Sequence, residues 1–387
     1  MKNKKTGSAW KQAFTVGTAA FAAHAGGGFA TGNQMNTFYV GLGWIAVVSV
    51  VVAMLILAFT IREGQIMMNS RGLTTYKELF TELFHPFDKL ELLFELFFNI
   101  MVLMVVASCI SGAASALQEY FGMNYYLGTL LIGLLILFLT IYGIDLIRKV
   151  SSYMGTVILI LSIIIYSIGA LNGNNIFEVL RVDFQTQGFD QLPIAIFNAL
   201  KYASFQWVTV PAILACGSIL KSKSDCDKAM SLTFVFNTLG LGLSVLMLLA
   251  WKDYYLTQPL GQTLPTLTCL KAYGMDILVI LYGISLFLCL ISSAVCVIYG
   301  FVARFEDIKP LQKIENIQVR RASVSAFIMI LSMAISFAGL TNVVKYGYGY
   351  CGLIGIFVIL LPLMTVGFYK NRKFLKEKEL ELAFEEE

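Results

Sequence analysis

Long apolar runs separated by short polar segments make up most of the chain. They fall at about residues 12 to 39, 43 to 62, 90 to 118, 125 to 144, 150 to 171, 192 to 220, 229 to 251, 276 to 303, 322 to 344 and 347 to 369. At about 1.5 Å per helical residue, each can cross a hydrocarbon core of about 30 Å, so the pattern predicts ten transmembrane helices. The connections hold about 30 residues at most. No soluble enzyme domain fits between the spans.

The first run is interrupted. Phe21 to Gln34 reads FAAHAGGGFATGNQ, with three consecutive glycines and a histidine between apolar flanks. Each interior glycine costs about 1 kcal/mol of helix relative to alanine. Freed backbone groups cannot face lipid, so a break in mid-membrane has to line a cavity or be buried in protein. The pattern predicts a broken helix at a binding site. Two plainer readings stay open. MKNKK, AFTVGTAAFAA and Ala23-His24-Ala25 together have the form of a cleavable signal peptide, although cleavage would leave nine spans with a lopsided distribution of loop charge. The glycines would also let a neighbouring helix pack closely.

Composition agrees with an all-α polytopic membrane protein: 58% of the 387 residues are hydrophobic, 13% are charged and the mean hydropathy is +0.75. The net charge of +4 calls for no nucleic-acid partner. Lysine and arginine then orient the chain. With the N-terminus inside, 23 of the 28 fall in inside segments, only Arg181, Lys252, Lys271 and Lys345 fall outside, and Lys201 lies within a span. Both termini are expected in the cytoplasm of a multi-pass cell-membrane protein, followed by a charged tail at 370–387. Seven cysteines without metal-ligand spacing and only two histidines, His24 and His85, exclude a zinc-type centre.

Ten spans divide as five plus five within a single transmembrane domain, with one repeat at about 10–171 and the other at about 192–369. The sixth span, LKYASFQWVTVPAILACG, crowds Lys201, Ser204, Gln206, Thr209 and Pro211 at its middle, and Pro211 interrupts a helix, so it echoes the broken first span. The third and eighth spans are both long and serine-bearing, with Ser108, Ser111 and Ser115 in one and Ser285, Ser292 and Ser293 in the other. An odd number of spans per repeat inverts the halves and pairs the broken helices at the midplane, the sequence pointer to a secondary-transporter site.

This plan resembles the LeuT fold of the amino acid, polyamine and organocation transporter superfamily. GTAAFAAHAGGGFATGNQMNTFYVGLGW is similar to the opening of the bacterial YkvI-like membrane proteins, with their G-x-G-F-A-[ST]-G-x-[EQ] run. YKELFTELF, from Tyr76 to Phe84, also resembles that family. The chain departs from the pattern at His24, Gly26 and Asn33. The resemblance implies secondary transport by alternating access. It also implies a sodium site made by Ser292, Ser293 and the carbonyls of Ala22 and Ala25.

From the residues themselves, a helix restarting near Phe29 would present free amides at a positive dipole end. Ala25, Gly26, Gly27, Gly28 and Phe29 are therefore expected at the substrate, with Tyr202, Ser204, Phe205, Gln206 and Trp207 facing them from the sixth span. The mixture suits a small amino acid or a related zwitterion or anion. Lys201, costly inside a span, either serves coupling or reaches toward the surface. His24 either titrates or satisfies carbonyls freed by the break. Glu91, Glu95 and Asn99 share a helix face, and Glu95 either lines the inward path or pairs with a neighbouring base. The expectation is a symporter coupled to Na+ or H+, with no catalytic residues, no other cofactor, and a small molecule and the lipid bilayer as partners. A non-transporting receptor that keeps the same pocket is the alternative.

Overall fold

A computed structural model describes residues 2–142, 144–305 and 311–385, and side chains within these except at 2–8, 144–155, 303 and 379–385. The charges counted above at Lys2, Lys4, Lys5, Arg148, Lys149 and Lys309, and the end of the tail, lie outside the described side chains. The described residues are helical or turn throughout, with no strand.

The chain opens with α1 (Lys2–His24), a four-residue α2 (Gly27–Ala30) and a six-residue α3 (Asn33–Phe38). The second span is α4 (Ile45–Arg71). A short amphipathic helix, α5 (Tyr76–Phe84), precedes α6 (Glu91–Phe121) and α7 (Tyr125–Tyr142). α5 starts on a capping box: Thr75 Oγ1 accepts from the Glu78 amide, and the Glu78 carboxylate accepts from the Thr75 amide. After α8 (Ile144–Asn172) and α9 (Ile176–Gln187) come α10 (Leu192–Phe205), a 3-10 turn (Gln206–Thr209) and α11 (Val210–Cys216). α12 (Lys223–Ala250) leads through two short helices, α13 (Lys252–Tyr255) and α14 (Pro265–Ala272), to α15 (Asp276–Phe305) and α16 (Ile317–Ser336). The final span runs from Leu340 to Lys378. It widens into π-helical turns, two of which flank Pro362, whose missing amide loosens the ladder there.

Among the described residues, eight helices are long and apolar enough to span a membrane, and α8 with α9, bent by 72°, makes a ninth. The expected tenth, at 12 to 39, is not one helix: its glycines divide it into three pieces. The last span continues as helix into the charged tail, to Glu385.

Packing places α1 at the centre. Ala13, Val16, Ala20 and Phe21 are buried, and α1 lies against α12 and α8, while α12 also packs on α4. A second group brings α15, α16 and α7 around α6. Small residues of α6 meet them: Gly112 lies beside Leu290 of α15, Ser111 donates to Ser336 O at the end of α16, and Ala114 lies against Gly128 of α7, and such small residues let helix backbones approach closely.

Candidate functional site: the broken first span

α1 ends at His24 because Gly26 turns extended, with φ −69° and ψ −169°. The Gly26 amide folds back onto the His24 carbonyl at 2.7 Å. Six residues after Gly26, Gly32 takes φ +81°, a left-handed conformation that glycine adopts without a Cβ penalty, and α3 begins. The released polar groups are handed to other helices, as a membrane interior requires. Tyr282 donates to Ala30 O at 2.6 Å, the Thr266 amide donates to Thr31 O, and Asn33 Nδ2 donates to Gln262 O at 2.9 Å and Thr341 Oγ1 at 3.0 Å.

The restart differs from the expected helix. α2 is a single turn, too short to sum peptide dipoles into an appreciable end charge. Recognition here has to rest on individual amides and side chains. Among the described residues no backbone carbonyl accepts from the amides of Gly27, Gly28 or Phe29.

Those side chains form one buried network. His24 Nδ1 lies 2.8 Å from Asn237 Oδ1, and His24 Nε2 lies 2.9 Å from Tyr202 Oη. Tyr202 Oη is 3.0 Å from Gln34 Oε1, which Gln206 Nε2 approaches at 3.5 Å. All five residues are buried. Their proton assignments can be worked out. Asn237 Nδ2 donates to Thr233 O at 2.9 Å, so Oδ1 is the atom that faces His24 and can only accept. His24 Nδ1 therefore carries a hydrogen. With a neutral ring, Nε2 is an acceptor that takes the one hydroxyl proton of Tyr202, leaving Gln34 Oε1 to Gln206. With a charged ring, Nε2–H donates to Tyr202 and the hydroxyl proton passes to Gln34. The charge state of His24 thus sets the direction of the whole chain of hydrogen bonds.

Several expected residues converge here: His24, Ala25, Gly26, Gly28, Phe29, Tyr202 and Gln206. Phe29 stacks edge-on to Phe21 and Tyr166. Phe205 joins through its rings, 4.8 Å from Tyr202 and 5.3 Å from Phe38. The Gln34 side chain covers Gly28 so closely that a Cβ there would meet it at 2.5 Å.

Others do not converge. A Cβ on Gly27 would lie 3.1 Å from Cys109 Sγ and 3.2 Å from the Cys109 amide, so this glycine serves close packing on α6 rather than an open cradle. Ser204 turns its hydroxyl to Gly352 O in the final span. Trp207 donates to Thr60 Oγ1 of α4 and packs edge-on to Phe80 and Phe94. Both side chains leave the break because a 3.6-residue repeat points them to other faces of the sixth span. The interruption of that span takes the form of the 3-10 turn, and Pro211 sits in the first turn of α11, where its missing amide costs least.

The candidate coupling groups fall in three places. Ser293 faces Gly26, whose Cβ would lie 3.7 Å from its Oγ, and the Cys289 thiol donates to Ala25 O. Ser292 instead bonds within its own helix, to Cys289 O at 3.2 Å. Among the described residues neither serine bonds to Ala22 O. Lys201 Nζ lies over the rings of Phe197 (4.7 Å) and Phe38 (5.7 Å), with no carboxylate partner among the described residues. Glu95 is held at both oxygens by Arg304 at 3.0 and 3.1 Å, with Tyr76 donating to Oε2 at 3.4 Å, so it is an ion-pair partner across α6 and α15.

Sequence reasoning passed over Gln34, Asn237 and Cys289. A buried asparagine in an otherwise apolar seventh span was the available signal for Asn237, and Gln34 closes the glycine motif itself.

No protein-family model matches the chain, and no curated protein matches it in sequence. Solved structures do match in shape. A Na+-coupled sialic acid symporter in a substrate-bound outward-open state superposes with TM-score 0.62 at 13% identity, covering 91% of this chain and 79% of that one. MhsT in complex with L-phenylalanine gives 0.61 at 12%, covering 94% and 97%. The manganese transporter of Eremococcus coleocola gives 0.54 at 11%, covering 96% and 91%. At such identities the likeness is one of fold. It is the LeuT-type architecture expected from the sequence.

Proposed function

We propose that the chain is a secondary transporter that moves a small amino acid or related zwitterion across the cell membrane by alternating access, driven by Na+ or H+. The observation that carries this reading is the buried network of His24, Tyr202, Gln34, Gln206 and Asn237 at the broken first span. Imidazole, phenol and carboxamides in an apolar shell suit a small zwitterion, since they offer both donors and acceptors. One neutral group of the chain occupies that place now: Gln34 lies over Gly28, and its carboxamide resembles a substrate carboxylate in size and planarity. Substrate entry would require Gln34 to turn away.

The transport proteins that share the fold support the same class of function, and the sialic acid and phenylalanine ligands named for two of them are small organic molecules. Membership of the YkvI-like family, cytoplasmic termini and the inverted repeats at about 10–171 and 192–369 belong to this proposal. Counterflow of labelled amino acids in proteoliposomes tests it. Exchange that requires Tyr202 and Gln206 supports transport, whereas binding without exchange would support a receptor and refute the carrier.

A further inference from the structure

A cavity of about 250 Å³ opens where α4, the start of α12 and the end of the final span meet, remote in sequence from the broken span. Four cations line it, Arg62, Lys223, Arg372 and Lys376, against one carboxylate, Glu63. Glu63 is buried and both of its oxygens are engaged: Oε1 accepts from Arg62, and Oε2 accepts from Asn371 Nδ2 at 2.9 Å. Arg62 is shared again with Asp227, 2.5 Å from its Nε. These four residues satisfy one another.

Lys223 and Lys376 have no acidic partner among the described residues, and Arg372 has only the Phe368 ring, 4.7 Å away. Arg372 and Lys376 stand four residues apart, so they share one helix face. Lys223 opens α12, a helix of 28 residues capped by Ser222. Two separate elements thus bring three exposed cations, without an acidic partner among the described residues, to one space, an arrangement whose mutual repulsion a bound anion would relieve. Guanidinium and ammonium groups together are the usual hold on a phosphate. The volume admits a phosphate group with several waters at about 30 Å³ each. Ile66, Phe368 and Leu375 supply an apolar wall beside the charges.

We propose that this cavity binds a phosphate-bearing anion through Lys223, Arg372 and Lys376, either a phospholipid headgroup seated against the apolar wall or a soluble phosphate. Removing a cation from such a site weakens binding by about fivefold, so three together exceed about a hundredfold. The experiment uses the full chain in neutral detergent, titrated with phosphatidylglycerol, with phosphatidylcholine, and with inorganic phosphate, and reads thermal midpoint and lipid retention by native mass spectrometry. The triple variant Lys223→Gln, Arg372→Gln, Lys376→Gln is set against Lys221→Gln, Lys313→Gln, Lys373→Gln, which removes the same charge outside the cavity. Selective loss of phosphatidylglycerol stabilisation in the first triple supports the lipid source, and selective loss of the phosphate effect supports the soluble one. Equal loss in both triples, or no anion effect on the parent protein, overturns the proposal. Should the first triple not fold, Arg372→Gln alone must weaken the responding anion about fivefold, and an unchanged titration overturns it equally.

Discussion

Tyr202→Phe removes one oxygen atom and nothing else from the centre of the bundle. The ring is fully buried, and its hydroxyl serves both His24 Nε2 at 2.9 Å and Gln34 Oε1 at 3.0 Å. Phenylalanine keeps the ring volume, so no cavity contribution arises. What remains is polar satisfaction. An orphaned buried acceptor costs about 1 to 3 kcal/mol. With Asn237 fixing the hydrogen on Nδ1, a neutral His24 presents a bare Nε2 to its surroundings, while Gln34 keeps a distant Gln206. One orphaned acceptor comes to about 1 to 3 kcal/mol. Tyr39→Phe is the internal control: the Tyr39 ring is also fully buried, but its hydroxyl has no hydrogen-bond partner among the described residues. By the same reasoning its removal is expected to leave stability unchanged or raise it by up to about 1 to 3 kcal/mol, never to lower it. Denaturant titration of both variants in micelles, followed by circular dichroism, compares them. A second readout is spectroscopic. His24 and His85 are the only histidines, and His85 is exposed beside Asp88. A His85→Gln background therefore leaves a single imidazole for 15N NMR, expected to carry its hydrogen on Nδ1 when neutral. Equal stabilities for the two phenylalanine variants, or a neutral His24 protonated at Nε2, would refute the hydrogen-bond assignment.

Gly26→Ala is expected to fold like the parent, because its Cβ meets nothing nearer than 3.7 Å, whereas Gly27→Ala, pressed on the Cys109 backbone, should lose about 1 to 3 kcal/mol and much of its expression; fluorescence-detected size exclusion separates them. Glu95→Gln and Arg304→Gln are each expected to cost about 2 kcal/mol, and the double variant less than their sum by at least about 1 kcal/mol, since the pair is bidentate and part-buried; additive losses would deny the coupling. Glu78 is held below the usual carboxylate range by hydrogen bonds from the Thr74 and Thr75 amides. A lowered folded pKa contributes stability above the unfolded value and loses it as pH falls through the folded one, so amide exchange at 74–78 should accelerate in acid and become pH-insensitive in Glu78→Gln after correction for intrinsic rates.

The breadth of the fold was legible because lipid leaves only two signals to read, apolar length and the residues that interrupt it. The glycines at 26 to 28 and the polar centre of the sixth span marked the two interruptions correctly in place. Their form was not legible. Whether a Gly-rich break restarts as a long helix or as one turn depends on Gly32, whose left-handed conformation ends α2 after Ala30, and a glycine's φ is not written in its neighbours. The facing of Ser204 and Trp207 was lost for a related reason. Both lie on other faces of the 3.6-residue repeat, toward the final span and α4, and which face meets the break is set by partners distant in sequence. Glu95 offered two readings that local sequence could not separate, because its partner Arg304 lies 209 positions away.

The last prediction concerns the seam between the two packed groups. α1, α10 and α12 are tied to one another by the network through His24, Tyr202 and Asn237. Against α6 and α15, by contrast, the broken segment makes mostly sliding contacts: Gly27 on Cys109 and Leu290, and Gly26 beside Ser293. The hydrogen bonds that cross this seam are few, chiefly Tyr282 to Ala30 O and the Cys289 thiol to Ala25 O. A monovalent cation bound between Ala25 O and Ser293 Oγ would bridge the groups where direct bonding is sparse, provided the thiol turns aside. In the proposed carrier that bridge is the coupling step. Binding to the folded state at 100 times the dissociation constant stabilises by about 2.7 kcal/mol. NaCl should therefore raise the thermal midpoint over equimolar choline chloride in the parent and Ser292→Ala, whose hydroxyl is turned to its own helix, and lose that effect in Ser293→Ala. A parent protein indifferent to sodium, or a Ser293→Ala variant that still responds, would remove sodium from the seam and leave His24 as the coupling group.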